Sequence, residues 1–136
     1  SVVDLGIVRA VSLAEGVVRI TPTYSGCPAT EVIGLAVANK LAEAGIDLRV
    51  KTQLSPAWTT DWITEKGREA LRAHGIAPPP AASSDKHALF AEPPAVACPR
   101  CGSLETERVS AFGATACKAM HRCQSCSEPF EAFKCL

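Results

Sequence analysis

Between Gly6 and Thr21 the chain alternates apolar and polar positions with the two-residue period of a strand. Gly6-Ile7-Val8-Arg9-Ala10-Val11 and Val17-Val18-Arg19-Ile20-Thr21 are rich in β-branched residues, and Ala14-Glu15-Gly16 supplies a hairpin turn between them. From Pro28 the period lengthens. Val32, Ile33, Ala36, Val37 and Leu41 recur at helical spacing through about Ala44, with proline at the first helical position and Gly45 past the end. Alternation returns from Ile46 to Leu54, where Ile46, Leu48, Val50 and Thr52 share one side. A second helix is expected from Thr60 to His74, with Thr60 as N-cap, Asp61 in the first turn and Gly75 as the stop. The order ββαβα predicts an α+β fold, a small two-layer α/β sandwich over residues 1–76 with both helices on one face of the sheet.

Residues 77–97 lose this periodicity. Pro78, Pro79 and Pro80, then Ala, Ser and charged residues, then Pro93-Pro94, describe an extended linker. Short strand segments resume at Glu107–Phe112, Ala119–Arg122 and Pro129–Lys134, in a module of residues 98–136. That module has little apolar mass, so it is expected to need a metal to fold.

The metal signal is strong. Cys98-Pro99-Arg100-Cys101-Gly102 and Cys123-Gln124-Ser125-Cys126-Ser127 are two Cys-x-x-Cys pairs, separated by a stretch slightly longer than is usual for this motif. Two residues between cysteines let one tight turn aim both thiolates at a single ion, and two such turns complete a tetrahedral four-sulfur site. Gly102 suits the positive φ with which a chain often leaves such a turn, and Ser127 is a less ideal occupant of the equivalent place. Cys98, Cys101, Cys123 and Cys126 are therefore the expected ligands of a structural Zn2+. Cys117 and Cys135 are extra to this set, free to replace a member, bind a second ion or simply pack. His121 is another conceivable ligand. Seven cysteines together also permit iron–sulfur ligation.

Composition narrows the function classes. The seven cysteines, six of them after position 97, fit a cytosolic metal module better than a secreted disulfide scaffold. Lys and Arg number 14 against 14 Asp and Glu, and both halves of the chain are close to neutral, which argues against a nucleic-acid partner. No apolar run approaches a membrane span. A glycine-bracketed serine, a phosphate-binding glycine loop and a His-Glu-x-x-His motif are all absent, which disfavours ordinary hydrolases.

Cys27 stands apart, in Thr23-Tyr24-Ser25-Gly26-Cys27-Pro28-Ala29-Thr30 at the expected N-cap of the first helix. Backbone N–H groups and the helix dipole favour an anion there, so a reactive or metal-handling thiolate competes with a small buried junction residue. Trp58 and Trp62 frame the loop into the second helix. Core packing suits at least one of them, and a partner surface suits the other. Asp4 reads either as a turn or cap residue or as a neighbour of Cys27.

Val3-Asp4-Leu5-Gly6-Ile7-Val8, Thr21-Pro22-Thr23 and Gly26-Cys27-Pro28 resemble the small domain of iron–sulfur assembly accessory proteins. Ser55-Pro56-Ala57-Trp58-Thr59-Thr60-Asp61-Trp62-Ile63-Thr64 narrows the match. So do Phe112-Gly113-Ala114-Thr115-Ala116-Cys117-Lys118-Ala119 and Glu128-Pro129-Phe130-Glu131-Ala132-Phe133-Lys134-Cys135, which resemble the PaaD (also called PaaJ) family of the phenylacetate pathway. The resemblance implies a cytoplasmic, non-catalytic accessory factor that helps assemble a metal centre in the multicomponent phenylacetyl-CoA epoxidase. Its partners would be the epoxidase components, especially the iron–sulfur flavin reductase, with a homodimer also open. It implies that Cys27 is the functional thiol, accompanied by Asp4, and that iron or an iron–sulfur cluster is held transiently. The alternative is a structural or regulatory subunit of the epoxidase complex. The family carries an acidic-proline segment and a helix before the position of Ser1, so the resemblance also implies a truncated or partly processed chain.

Overall fold

A computed structural model describes residues 1–79 and 95–134. In chain order the elements are β1 (Val8–Ser12), β2 (Val17–Ile20), α1 (Thr30–Glu43), β3 (Arg49–Thr52), a 3-10 turn (Thr60–Trp62), α2 (Glu65–Ala73), β4 (Ile76–Ala77), β5 (Thr106–Ser110), β6 (Lys118–Cys123) and β7 (Pro129–Phe133). Two helices with two mixed sheets make an α+β fold. Contacts divide the chain into two compact units. The first is Ser1–Trp58 with Trp62–Thr64, and the second is Thr59–Asp61 with the described residues from Glu65 onward. No helix among the described residues is long and apolar enough to cross a membrane.

The first unit holds a three-stranded sheet in the order β1-β2-β3. β1 and β2 form the expected hairpin, with Ser12 opposite Val17. β2 and β3 are parallel, with Val18 opposite Val50 and Ile20 opposite Thr52, so α1 is the crossover between them. Val18 and Ile20 point to one face, as a two-residue period requires, and form the core with Ile7. Ile33, Val37 and Leu41 of α1 pack on that core together with Leu48 and Val50. Ile20 is 1% exposed, and full burial of such a side chain is worth about 1.5–3 kcal/mol.

α1 begins at Thr30 rather than Pro28. The Cys27 carbonyl accepts the Thr30 N–H at 3.2 Å, so Pro28 sits at the second position of a turn instead of opening the helix. Cys27 therefore lies before the N-cap, which is Ala29. The second helix is also shorter than expected. Thr64 donates its N–H to the Asp4 carbonyl at 2.8 Å and is thereby drawn out of any helix starting at Thr60, so α2 opens at Glu65.

α2 packs against β4 within the second unit. β4, too short to show a period, comes from residues expected to begin or adjoin the linker. It pairs in parallel with β7 in a sheet of order β4-β7-β6-β5, and Ala77 is 1% exposed. At the other end of the linker, Val96 packs on the same core and its carbonyl accepts the Thr106 hydroxyl. Residues 80–94 lie outside the described residues.

One close approach fixes the entry to β1. Gly6 has a φ of +68°, and a Cβ added there would meet the Trp62 Cβ at 2.5 Å and its carbonyl oxygen at 2.6 Å. The Trp58 indole N–H donates to the Leu5 carbonyl at 3.0 Å beside it. We expect Gly6→Ala to destabilise the protein by about 2–4 kcal/mol, combining a left-handed backbone cost with steric overlap. Gly16→Ala, at φ +63° but in open space, should cost only about 1–2 kcal/mol. Chemical denaturation of both variants checks this; equal losses would refute the close-approach account.

Candidate metal centre

The two Cys-x-x-Cys turns are built alike. Cys98 donates its N–H to the Ser103 carbonyl at 2.9 Å, and Gly102 donates back to the Cys98 carbonyl at 2.9 Å with a φ of +76°. In the second turn Cys123 donates to the Glu128 carbonyl at 2.9 Å, and Ser127 takes a φ of +62°. Ser127 is the one positive-φ residue other than glycine among the described residues. The turns are tied together by the Ser103 and Ser125 hydroxyls at 2.8 Å and by an Arg100–Glu128 ion pair. These clamps join residues far apart in sequence, and no local pattern announces them.

The turns bring the four sulfurs of Cys98, Cys101, Cys123 and Cys126 within 4.8 Å of one another. Cys98 and Cys126 stand 3.8 Å apart, and Cys101 and Cys123 stand 3.6 Å apart. A disulfide would need about 2.05 Å. Zinc–sulfur bonds of about 2.3 Å in a regular tetrahedron give sulfur–sulfur edges of about 3.8 Å. The residues therefore fit a tetrahedral ion with soft ligands, for which zinc and iron are the natural occupants. Cys98 and Cys123 are buried at 2% and 0% exposure, while Cys101 and Cys126 face outward.

Without a cation these thiols cannot all ionise. The Cys126 backbone N–H leads the interactions that hold the Cys123 thiol down at about 7. The Ser103 backbone hydrogen bond favours a Cys101 thiolate, yet the sulfurs of Cys123, Cys126 and Cys98 outweigh it and push that thiol up to about 12. Cys126 is raised as well: the Glu128 backbone hydrogen bond favours its thiolate, but burial and the sulfurs of Cys123 and Cys98 oppose it.

The other sequence-marked residues fall elsewhere. Cys117 is outside the four-sulfur group, and its sulfur meets the Thr115 hydroxyl at 3.1 Å. Its loop is anchored to β7, because Glu131 accepts the Ala114 N–H at 2.7 Å and pairs with Lys118. The Lys118 ammonium holds the Glu131 carboxyl below the usual carboxylate range. Cys135 lies outside the described residues. His121 stacks on Phe130 with ring centroids 5.6 Å apart, and it is not in the group.

In the first unit, Cys27 is half-buried in the turn before α1, where its carbonyl also accepts the Thr30 hydroxyl at 2.8 Å. Asp4 accepts from the Ser1 hydroxyl at 2.8 Å and from the Thr64 hydroxyl at 3.5 Å, so it staples the β1 entry to the loop before α2. Trp58 is buried at 4% exposure. Trp62 is half-buried, with the Arg9 guanidinium 3.4 Å over its ring.

Comparison with known proteins bears on both units. Residues 82–134 match the PaaD zinc beta ribbon domain family. Over 139 aligned positions, spanning all of this chain and 82% of the relative, the chain is 50% identical to the putative 1,2-phenylacetyl-CoA epoxidase D subunit of Escherichia coli (strain K12). Among solved structures it is similar to a domain of unknown function, DUF59, from Bacillus anthracis. That match has a TM-score of 0.47 and 26% identity, and covers 52% of this chain and 73% of that one.

Elemental analysis of the purified chain is expected to find about one zinc per chain, lost in Cys123→Ser and kept in Cys117→Ser. Retention by Cys123→Ser would contradict the geometry. In the empty site at pH 7, Cys101 and Cys126 carry protons that the ion must displace. Affinity should therefore fall by at least about a hundredfold for each pH unit of acidification below 7, where Cys123 takes up a proton as well, measured by chelator competition. A flat profile would show that those protons are not displaced.

Proposed function

Because the chain belongs to the PaaD family, the D subunits of 1,2-phenylacetyl-CoA epoxidase, we propose that it is an accessory factor assisting assembly of a metal centre, an iron–sulfur cluster, in that multicomponent enzyme. The observation that carries this reading is the separation of two kinds of sulfur. Four thiols close around one tetrahedral position in the ribbon, leaving no open site at which an ion could meet a substrate. Cys27 lies in the other unit, half-buried and outside that group. A structural zinc accounts for the first set, and transient binding of iron or a cluster for the second.

In this reading the protein works in the reducing cytoplasm and has no turnover of its own. Its client is the iron–sulfur flavin reductase component. The ribbon offers an exposed apolar surface for docking, including Leu104, Val109 and Phe112, each more than 60% exposed. Trp62 with Arg9 provides a second contact. Asp4 acts by holding the β1 entry to the Thr64 loop.

A second reading, a structural or regulatory subunit, draws support from the E. coli relative being named a subunit. The two differ in what Cys27 does. In cells lacking the native gene, the Cys27→Ser chain should leave the co-expressed reductase with severalfold less cluster than the wild-type chain does, while retaining its own zinc. Equal cluster content, with the variant stably bound to the epoxidase, would favour the structural role.

A further inference from the structure

A strand at the margin of a sheet exposes a row of backbone N–H and C=O groups, and folded proteins ordinarily blunt such margins. Among the described residues the two sheets have four edge strands, β1, β3, β4 and β5. β1 is interrupted by a bulge between Val8 and Ala10, and β5 by one between Arg108 and Ser110. β4 is two residues long. β3 has none of these devices. It pairs with β2 in unbroken register from Arg49 to Thr52 and contains no proline.

The hydrogen bonds of β3 show which groups face outward. Arg49 donates its N–H to the Gly16 carbonyl at 2.9 Å, and Gln53 donates to the Ile20 carbonyl at 2.8 Å, both toward β2. Alternation along the strand turns Lys51 toward β2 as well, and aims the N–H and C=O of Val50 and Thr52 at the open edge. The two faces beside that edge differ in chemistry. Val50 packs on the core beneath α1, and Leu54, further along the same side, is 57% exposed. Arg49 and Lys51 are exposed on the opposite face, where Arg19 lies beside Lys51. Arg19 is paired with Glu15, whereas Arg49 and Lys51 form no ion pair among the described residues. The even count of charges along the chain conceals this local excess.

A second copy is a poor occupant of this edge, because pairing β3 with β3 would bring the cations of the two chains together. A strand with acidic residues at alternate positions fits it. Such carboxylates stand about 7 Å apart along one face, the same spacing as Arg49 and Lys51. The intervening apolar residues would then lie beside Val50 and Leu54. We propose that β3 is a docking edge for an extended segment of a partner protein in which acidic and apolar residues alternate, added as a fourth strand beside Val50 and Thr52 with its carboxylates on Arg49 and Lys51. Backbone hydrogen bonds supply the attachment, and the two cations select the sequence and its facing. Recognition at this edge does not depend on the role of Cys27.

NMR titration of the isotope-labelled chain with the capped peptide Gly-Glu-Val-Glu-Val-Glu-Gly, up to millimolar concentration, tests this. Amide shifts should centre on β3, and hydrogen exchange should slow at Val50 and Thr52. N-methylation of one alternate set of peptide amides, the valines or the glutamates, should abolish binding while the other set tolerates it. Only one set can face β3 in an added strand. Arg49→Glu combined with Lys51→Glu should weaken binding at least about tenfold and admit the peptide Gly-Lys-Val-Lys-Val-Lys-Gly instead, with helicity unchanged. Absence of shifts on β3, equal tolerance of both N-methylated peptides, or a reversed chain that still prefers the glutamate peptide would each overturn the proposal.

Discussion

Four sulfurs held within 4.8 Å of one another are the constraint on which the second unit depends. Its apolar cluster consists of Ala77, Cys98, Cys123, Phe130 and Ala132, with Val96 packed against it. Two of those five residues are cysteines of the four-sulfur group, so an ion bound there would be coupled to core formation. Leu71, Ala119 and Phe133 are also buried in this unit, and that burial acts against the conformational entropy of ordering the sheet, which costs about 1–2 kcal/mol per residue for the backbone alone. A tetrahedral ion would add to that drive and relieve the mismatch among the thiols. β4 and Val96, from opposite ends of the proline-rich stretch, converge on the same cluster.

The first unit is stabilised differently. Val18, Ile20 and Ile7 lie under α1, and this core needs no metal. Its most constrained point is the approach of Gly6 to Trp62, which draws the β1 entry and the loop before α2 together. The Trp58 indole N–H and the Thr64 backbone N–H add hydrogen bonds to the same segment. Asp4 and Trp58, which read from sequence as candidate site residues, take roles in this clasp. Cys27 is not part of it. That contrast is why the thiol, rather than the surrounding motif, carries the functional proposal.

Most of the architecture is legible in the residues, and the exceptions share a cause. The strands of the hairpin and ribbon follow from two-residue alternation, and the four-sulfur group from Cys-x-x-Cys spacing. Both are local signals. The starts of α1 and α2 depart from the sequence pattern because distant or competing hydrogen bonds set them: Cys27 to Thr30 in one case, Thr64 to Asp4 in the other. β4 is invisible to periodicity because a pair of residues has no period, and its strand identity comes wholly from β7. The clamps between the two cysteine turns link residues 22 and 28 apart, beyond the reach of any pattern. Ser127 is the instructive middle case. Its position after the second pair marks it for a left-handed backbone, and it adopts one without being glycine.

We propose that the four-sulfur site is structural and that Cys27, which belongs to the other unit, handles iron. Metal analysis with an absorption spectrum, on protein purified without oxygen from iron-replete cells, tests it most directly. The account predicts zinc at similar occupancy in wild type and Cys27→Ser, with iron and sulfur-to-iron absorption in the wild type only. Iron–sulfur absorption that survives the substitution would put the cluster in the ribbon cysteines and contradict the account.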